Sequence, residues 1–329
     1  MASIMTNASA LTALQSLNAT NKNLEVTQSR ISTGYRVADA SDNAAYWSIA
    51  TTMRSDQMAM STVQDSLGLG ASKVDTAYTG MNKAIETVNE IKVKLVAANG
   101  ASAADKEKYD IEIKALQGQL KSYADAATFS GANWLSTDTA TGHAVAGTFD
   151  DVKIVASFNR NAAGSVSLGT IDVKVQDIKL YDAAAASLGT KDGILDATRL
   201  GSTGARQDAV SAAVAGTDAG TDTYTVSTLS VKGFSDAQIT KQLTTVEAAL
   251  KEMTTAATNL GAAKSRIDLQ KTFTTSLMDS VERGVGQLVD ADMNKESTRL
   301  QALQVQQQLG IQALSIANGN SQSILSLFR

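Results

Sequence analysis

Few residues of this chain could carry catalysis. His143 is the single histidine among the 329 residues, and cysteine is absent. Paired-histidine zinc motifs, disulfides and thiol nucleophiles are therefore excluded, and a Ser-His-Asp triad could form only through this residue of a Gly- and Thr-rich predicted strand. The context favours an ordinary surface histidine. We predict no catalytic residue and a protein that is not an enzyme.

Two segments partly resemble ligand-binding loops. The run from Gly68 to Lys73 is similar to a fragment of a phosphate loop, but it lacks the Gly-Lys-Ser/Thr ending and a preceding strand. Asp218 and Asp222 miss the carboxylate ladder and terminal glutamate of a calcium loop. We interpret the glycines as packing positions and the aspartates as solvated turn residues, and we expect no cofactor and no metal.

A seven-residue repeat dominates the elements that surround these residues. It predicts a long coiled-coil helix that ends near Ala98, because Asn99 and Gly100 provide a stop and Ser102 a new N-cap. Its methionines are interpreted as core filling. The repeat positions are Met53, Met60, Leu67, Val74, Met81, Val88 and Leu95, with Ile49, Val63, Ala77, Ala84 and Ile91 between them.

A second helix is predicted to run to about Thr128, after which short alternating runs replace the heptads. His143–Phe149, Val152–Phe158 and Ile171–Val175 predict strands of a hairpin or small sheet. The Gly- and Asp-rich segment Gly201–Tyr224 is predicted to be exposed at the surface. The apolar face of the second helix is formed by Tyr109, Ile113, Leu116, Leu120, Tyr123 and Ala127.

Heptads resume after Ser235, a predicted N-cap, with one interruption at Thr274. The chain reads helix, helix, sheet-rich insert, helix, and an out-and-back path would bring its two ends side by side. The predicted fold class is mainly α, a long antiparallel helical bundle or coiled coil with paired terminal helices and a small β-rich insert at its outer end. The second repeat consists of Ile239, Val246, Met253, Leu260, Ile267, Val281 and Leu288.

Both ends of the chain lack charge. Met1–Asn21 and Leu300–Phe328 contain no charged residue, although charged residues make up 19% of the sequence. Their apolar residues recur at helical spacing, which predicts helices buried against several protein neighbours. The N-terminal stripe is Ile4, Leu11, Leu14, Leu17, Leu24 and Ile31. The C-terminal helix has one seam of Met293, Leu300, Leu303, Leu314, Ala317, Ile324 and Phe328, and a second of Ala302, Val305, Leu309, Ile316 and Leu327.

Membrane insertion and nucleic-acid binding are not expected. Amide side chains crowd the uncharged C-terminal segment, and the N-terminal one lacks the pattern of a secretory signal. With 29 basic against 33 acidic residues, the net charge of −4 gives no electrostatic footprint for nucleic acid. Proline is absent, where average usage would give about 16, and long uninterrupted helices need that absence.

The segment Arg30–Ala45 connects two helical patterns through a helix-stopping Gly34 and a cap-like Ser41. An ordinary linker is one interpretation. The other is an interface corner whose charged residues pair with a neighbouring copy of the chain. The residues of that corner are Arg36, Asp39 and Asp42.

These segments together resemble a bacterial flagellin. The corner Ser32–Ala45 (STGYRVADASDNAA) is similar to the N-terminal signature of the family, and Val289–Met293 with Glu296–Ser297 to its C-terminal one. Ala317–Arg329 resembles the family tail. The resemblance covers both ends of the chain but not its middle, and it is closest to alphaproteobacterial, rhizobial-type members.

The resemblance implies a structural subunit that polymerises into the bacterial flagellar filament for swimming motility. Residues 1–40 and 295–329 would form the inner core, 41–180 and 235–294 a helical spoke with a β-hairpin, and 181–234 a variable, surface-exposed outer domain. Copies would join through contacts that propagate into an open tube, and the ends would fold on assembly. The implied assembly interface comprises Ile4, Leu11, Leu14, Leu17, Leu24, Ile31, Arg36, Asp39, Asp42, Leu300, Leu303, Leu314, Ile324 and Phe328.

The family also implies partners and a location. These are secretion through the flagellar export apparatus, a place in the extracellular filament, and contacts with other flagellin subunits, hook-associated junction and cap proteins and an export chaperone. Some members present a basic segment to a host Toll-like receptor. The corresponding stretch here is Val88–Leu95, with Glu90 where a cation is expected, so the resemblance predicts weak or absent receptor activation.

Two other functions stay open from the sequence. A hook-to-filament junction protein shares the architecture of the ends and would fail to form long filaments alone. A coiled-coil surface adhesin would leave the terminal seams without their several neighbours.

Overall fold

The computed structural model describes residues 7–138, 150–161, 163–182, 192–207 and 213–327, with side chains described as far as Gly319. Predictions for Ile4, for His143–Phe149 and for Phe328 lie outside this part of the chain. The same holds for the side chains of Ile324 and Leu327.

Helices dominate the described residues, and the predicted helical fold class is confirmed. The helices are α1 (Ala8–Thr33), α2 (Ala44–Ala98), α3 (Ala103–Ala126), α4 (Asp236–Val289) and α5 (Met293–Leu327). The predicted cap at Ser41 is wrong, because Asn43 begins α2 by accepting from the Tyr46 N–H at 3.1 Å.

The boundaries predicted near Ala98, Ser102 and Ser235 are confirmed by their caps. Gly100, just past the end of α2, has φ +80°, a conformation that glycine adopts without strain. The Ser102 hydroxyl accepts a hydrogen bond from the Asp105 N–H at 3.3 Å and begins α3. Ser235 begins α4 in the same way, by accepting from the Gln238 N–H at 3.3 Å.

The chain divides into two compact units. The terminal unit consists of Met1–Ala59 and Ser276–Arg329, and the central unit of Met60–Thr275. The three-part division expected from the family resemblance is a finer statement and stays a prediction.

The core of the central unit is the antiparallel pair of α2 and α4. Lys92 Nζ lies 2.9 Å from Glu247 Oε1, and Gln64 Nε2 donates to Thr275 Oγ1 at 3.2 Å, so the two helices keep one register over seven turns. The heptad seams provide this contact, as predicted. Their fully buried members are Leu67, Val74, Met81, Val88, Leu95, Val246, Met253, Leu260 and Ile267.

The third helix and the insert add to the same core. Lys94 on α2 pairs with Glu112 on α3 at 2.6 Å. Gln117 Nε2 on α3 donates to the carbonyls of Val226 and Leu229, each at 3.0 Å. Core residues of the insert include Leu135, Val175, Leu180, Leu195, Val226, Leu229 and Val231.

The strands are β1 (Thr128–Phe129), β2 (Ala132–Asn133), β3 (Ser136–Thr137), β4 (Val152–Arg160), β5 (Val166–Val173), β6 (Tyr181–Asp182), β7 (Arg199–Leu200) and β8 (Thr223–Tyr224). The β4–β5 pair is an antiparallel hairpin with a register shift between Val155 and Ser157. Ile171 and Val173 are buried on one face, as predicted. Val175 does not continue that strand, because it begins a 3-10 turn.

The packing role predicted for the glycines inside α2 is confirmed for Gly70 and wrong for Gly68, which has nothing within 4 Å of its Cβ position. A Cβ atom on Gly70 would lie 2.6 Å from Ile154 Cγ2, so glycine lets the β4–β5 hairpin approach the helix closely.

The segment Gly201–Tyr224, predicted to be exposed, contains both exposed and buried residues. Exposure is correct for residues 214–218 and wrong for Asp222–Tyr224, which are buried because β8 pairs with β7 against α4. Ile49 is also exposed, so the inner seam of α2 does not reach it.

Candidate functional site: the terminal helices

The two ends of the chain pack against each other as antiparallel helices. Asn7 Nδ2 on the N-cap of α1 donates to the Ala317 carbonyl of α5 at 2.9 Å. Further along, Gln307 Nε2 donates to Asn21 Oδ1 at 2.8 Å. In an antiparallel helix pair, facing residues have a constant sum of residue numbers. These two contacts have nearly the same sum, so the helices stay in register. The predicted pairing of the ends is confirmed for the described residues.

One stripe of each helix lies inside this pair. A Cβ atom on Gly310 would lie 3.1 Å from Leu17 Cδ1, which shows how closely the backbones approach. Leu303 is 7% exposed. The predicted residues that are half-buried are Leu17, Leu24, Ile31, Leu300 and Leu314.

A second set of apolar side chains remains exposed. Val305, Leu309 and Ile316 of the second α5 seam are 55–66% exposed. Leu11 and Leu14, expected on the inner stripe of α1, are exposed at 59% and 44%. Sequence reasoning missed two further exposed apolar residues, because they break the spacing of the seams that were sought. These are Val26 and Ile311.

The charged corner is held within the chain at two of its three predicted residues. Arg36 Nη2 donates to the Leu288 carbonyl at 2.9 Å, where a cation satisfies the exposed carbonyls at the end of α4. Asp42 Oδ2 accepts from the N–H groups of Ala38 at 3.0 Å and Asp39 at 3.4 Å. Of these three side chains, only the Asp39 carboxylate has no partner among the described residues.

Both ends match known sequences. Residues 4–140 match the bacterial flagellin N-terminal helical region, and residues 243–328 match the bacterial flagellin C-terminal helical region. A flagellin of Brucella melitensis biotype 1 is 50% identical over 329 residues, and flagellin C of Rhizobium meliloti strain 1021 is 48% identical over 336 residues. Each alignment covers all of both chains. This chain belongs to the bacterial flagellin family. The flagellin is of the rhizobial type, and it is a structural subunit of the flagellar filament.

This flagellin is shorter than some of its relatives. Flagellin A of Rhizobium meliloti strain 1021 is 44% identical, and both complete chains align over 405 positions. Since the present chain has 329 residues, that relative carries additional residues.

A partly buried ion-pair cluster attaches the insert of this flagellin to α4. Arg199 is 1% exposed and donates to both carboxylate oxygens of Glu252, at 2.8 and 2.7 Å. Arg206 donates to Glu252 Oε2 at 2.6 Å. Burial alone would raise the pKa of Glu252, but the hydrogen bonds and charges of the two arginines lower that pKa to about 2. We call these three residues the insert clamp.

None of the helices in the described part of the chain is both long enough and apolar enough to cross a lipid bilayer.

Proposed function

We propose that copies of this flagellin join through the exposed apolar sides of α1 and α5. The single observation that carries the proposal is the second α5 seam, whose large side chains stay open to solvent although one stripe already pairs with α1. Isolated exposed apolar residues are ordinary, but a row of large ones along two paired helices favours an interaction surface. The row is Leu11, Leu14, Val305, Leu309 and Ile316.

The inner stripe has a different role in this proposal. Leu17, Leu24, Ile31, Leu300, Leu303 and Leu314 hold the two helices of one subunit together. Because the second row stays exposed on the described pair, we expect α1 and α5 to become fully ordered only when neighbours cover it.

The charged corner contributes one residue to contacts between copies. Arg36 and Asp42 shape the corner through their internal hydrogen bonds. The exposed carboxylate of Asp39 is free to pair with a cation of a neighbouring copy.

We further propose the finer properties that the family suggests. They are a division into inner core, helical spoke and outer insert, secretion to the extracellular filament, and contacts with related flagellins, hook-associated junction and cap proteins and an export chaperone. The protein acts through assembly and not as an enzyme.

Receptor activation is proposed to be weak or absent. Glu90 is exposed, and the two nearby lysines are engaged within the chain. Lys92 pairs with Glu247 at 2.9 Å and Lys94 with Glu112 at 2.6 Å. A full-strength response of a Toll-like receptor reporter to purified monomer would contradict this proposal.

Electron microscopy under seeded assembly conditions tests the filament proposal. The full chain is compared with a chain that lacks residues 300–329, and circular dichroism checks that the central unit is folded in both. We expect long filaments from the full chain and none from the shortened one. Discrete particles from both would contradict self-assembly, and long filaments from both would contradict the role of α5.

A further inference from the structure

A cavity of about 200 Å³ lies in the central unit, between the insert and the first turns of α4. Its inner end is formed by buried residues, since Tyr224 of β8 is 7% exposed and Gln242 of α4 is 1% exposed. Its outer end reaches the surface at Thr228, which is exposed. The cavity thus combines a buried end with an opening to solvent.

Two polar atoms of the buried end have no hydrogen-bond partner among the described residues. They are the Tyr224 hydroxyl and Gln242 Oε1. The orientation of the Gln242 amide is fixed, because its Nε2 donates to the Ser230 carbonyl at 2.9 Å. An unsatisfied polar atom in a protein interior costs free energy, so buried polar atoms normally have a partner. A molecule in the cavity could supply the partners that the chain does not.

The Tyr224 ring is held firmly at this place. A Cβ atom on Gly201 would lie 2.6 Å from Tyr224 Cε2 and 2.9 Å from Lys241 Cβ, so glycine lets the ring pack close to the α4 residue that precedes Gln242. Burial and the charge of nearby Asp222 raise the pKa of Tyr224 to about 12. Its hydroxyl therefore stays protonated at neutral pH and can donate a hydrogen bond.

This pair of atoms restricts the chemistry of a ligand. The ligand has to donate to Gln242 Oε1 and accept from the Tyr224 hydroxyl. A hydroxyl group can do both, whereas a carboxylate cannot donate and an ammonium group cannot accept. None of the described residues that line the cavity is charged, so a charged ligand would lose its hydration without compensation.

Water also donates and accepts, but it suits the remainder of the cavity less well. About seven waters would fill this volume, and each of them needs two to four polar partners. Ala213, Leu229 and Phe234 line the cavity and have apolar side chains that offer none. A molecule with a carbon frame can cover these side chains while its hydroxyls reach the buried end.

We propose that this cavity binds an uncharged polyol, of the size of glycerol to a monosaccharide, whose hydroxyls accept from Tyr224 and donate to Gln242 Oε1. The site lies within one subunit and does not depend on the proposed assembly. A ligand this small is expected to bind with a Kd of about 1–10 mM.

Saturation-transfer difference NMR on the full-length monomer tests the proposal. The probes are glycerol, D-xylose and D-glucose, and D-glucuronate serves as the charged counterpart of glucose. We expect saturable binding of at least one neutral probe and no binding of glucuronate at the same concentration.

Two variants then locate the binding, with circular dichroism to check their folding. Tyr224→Phe removes only the hydroxyl and should weaken binding about fivefold, the effect of one neutral hydrogen bond. Tyr109→Phe is the matched control, because Tyr109 is a half-buried tyrosine of α3 that does not line the cavity. Ala213→Leu, at a half-buried position, should fill part of the cavity and abolish binding even if Tyr224→Phe does not fold.

Three results would overturn the inference. They are no saturable binding of any neutral probe to the wild-type chain, binding to a folded Ala213→Leu variant as strong as to wild type, and binding of glucuronate as strong as that of glucose. A folded Tyr224→Phe variant that binds like Tyr109→Phe would likewise refute the contact with the Tyr224 hydroxyl.

Discussion

The terminal and central units differ in how completely they bury their apolar side chains within the chain. In the central unit the heptad seams of α2 and α4 are fully closed, and α3 and the insert cover further apolar surface. In the terminal unit the largest apolar residues of α1 and α5 are divided between a half-buried stripe and an exposed row. The central unit buries its apolar seams within the chain, whereas the terminal unit leaves part of its apolar surface exposed for contact with neighbouring copies.

Charge follows the same division. Ion pairs within the described central unit tie α2 to α3, α2 to α4 and the insert to α4. In the described terminal unit, Arg30 pairs with Glu296 at 3.4 Å near the charged end of the paired helices. The comparison teaches that stability and assembly are assigned to different parts of one helical chain.

The largest expected effect on folding is in the closed seam. Leu67→Ala removes a fully buried side chain and should lower the free energy of unfolding by about 2–5 kcal/mol, because it leaves a cavity between helices. Urea unfolding followed by circular dichroism measures the change. Leu309→Ala is the control, since an exposed leucine should change stability by no more than about 0.5 kcal/mol. Equal losses for both would break the comparison.

The second-largest loss of stability is expected from overpacking between α2 and the β4–β5 hairpin. In Gly70→Ala the new Cβ would lie 2.6 Å from Ile154 Cγ2, so the hairpin must shift. We expect a loss of about 1–3 kcal/mol in urea unfolding. Gly68→Ala is the matched control, because nothing lies within 4 Å of its Cβ position. A Gly70→Ala variant as stable as this control would show that the hairpin does not rest tightly on α2.

The insert clamp should give a smaller loss with a pH signature. Glu252→Gln leaves buried Arg199 with less compensation, and because Glu252 is 37% exposed, screening by solvent limits the loss to about 1–2 kcal/mol at neutral pH. The pKa of Glu252 falls from 4.5 to about 2 on folding. Its stabilisation is thus present above pH 4.5 and is lost as pH falls towards 2.

Urea unfolding at several pH values separates the clamp from other carboxylates. Glu86→Gln is the control, because Glu86 belongs to an exposed pair with Lys83. If Glu252→Gln and wild type lose stability in parallel between pH 4.5 and 2, the clamp is not the cause of that pH dependence.

The smallest effect on folding should accompany a large effect on assembly. Leu309→Gln should leave monomer unfolding within about 0.5 kcal/mol of wild type, because the side chain is 57% exposed. It should raise the protein concentration needed for seeded filament growth, measured by light scattering. Thr258→Gln, at an exposed position of α4, serves as control. Unchanged growth would move the proposed interface away from this row.

The repeat of apolar residues and the local cap residues were enough to predict the long helix of the central unit. Heptads from Leu67 to Leu95 located the seam, and Gly100 and Ser102 located its end, because both signals are local. The pairing of the ends was also predictable, since uncharged helical stripes at both termini need a common partner.

The failures have physical causes too. Arg199 and Glu252 are 53 residues apart, and no local pattern joins them. The alternation of Ile171, Val173 and Val175 predicts a strand through Val175, because burial of alternate residues continues into the 3-10 turn. Asp222–Tyr224 looked exposed because composition reports turn propensity and not the pairing of β8 with β7.

The uncharged row on α1 and α5 has a thermal consequence. Burial of apolar surface carries a negative heat-capacity change, and the attraction it provides weakens on cooling. A contact built from such side chains without ion pairs should therefore loosen in the cold and tighten on moderate warming. The surface that leaves this subunit incomplete would thus also set the lower temperature limit of its polymer.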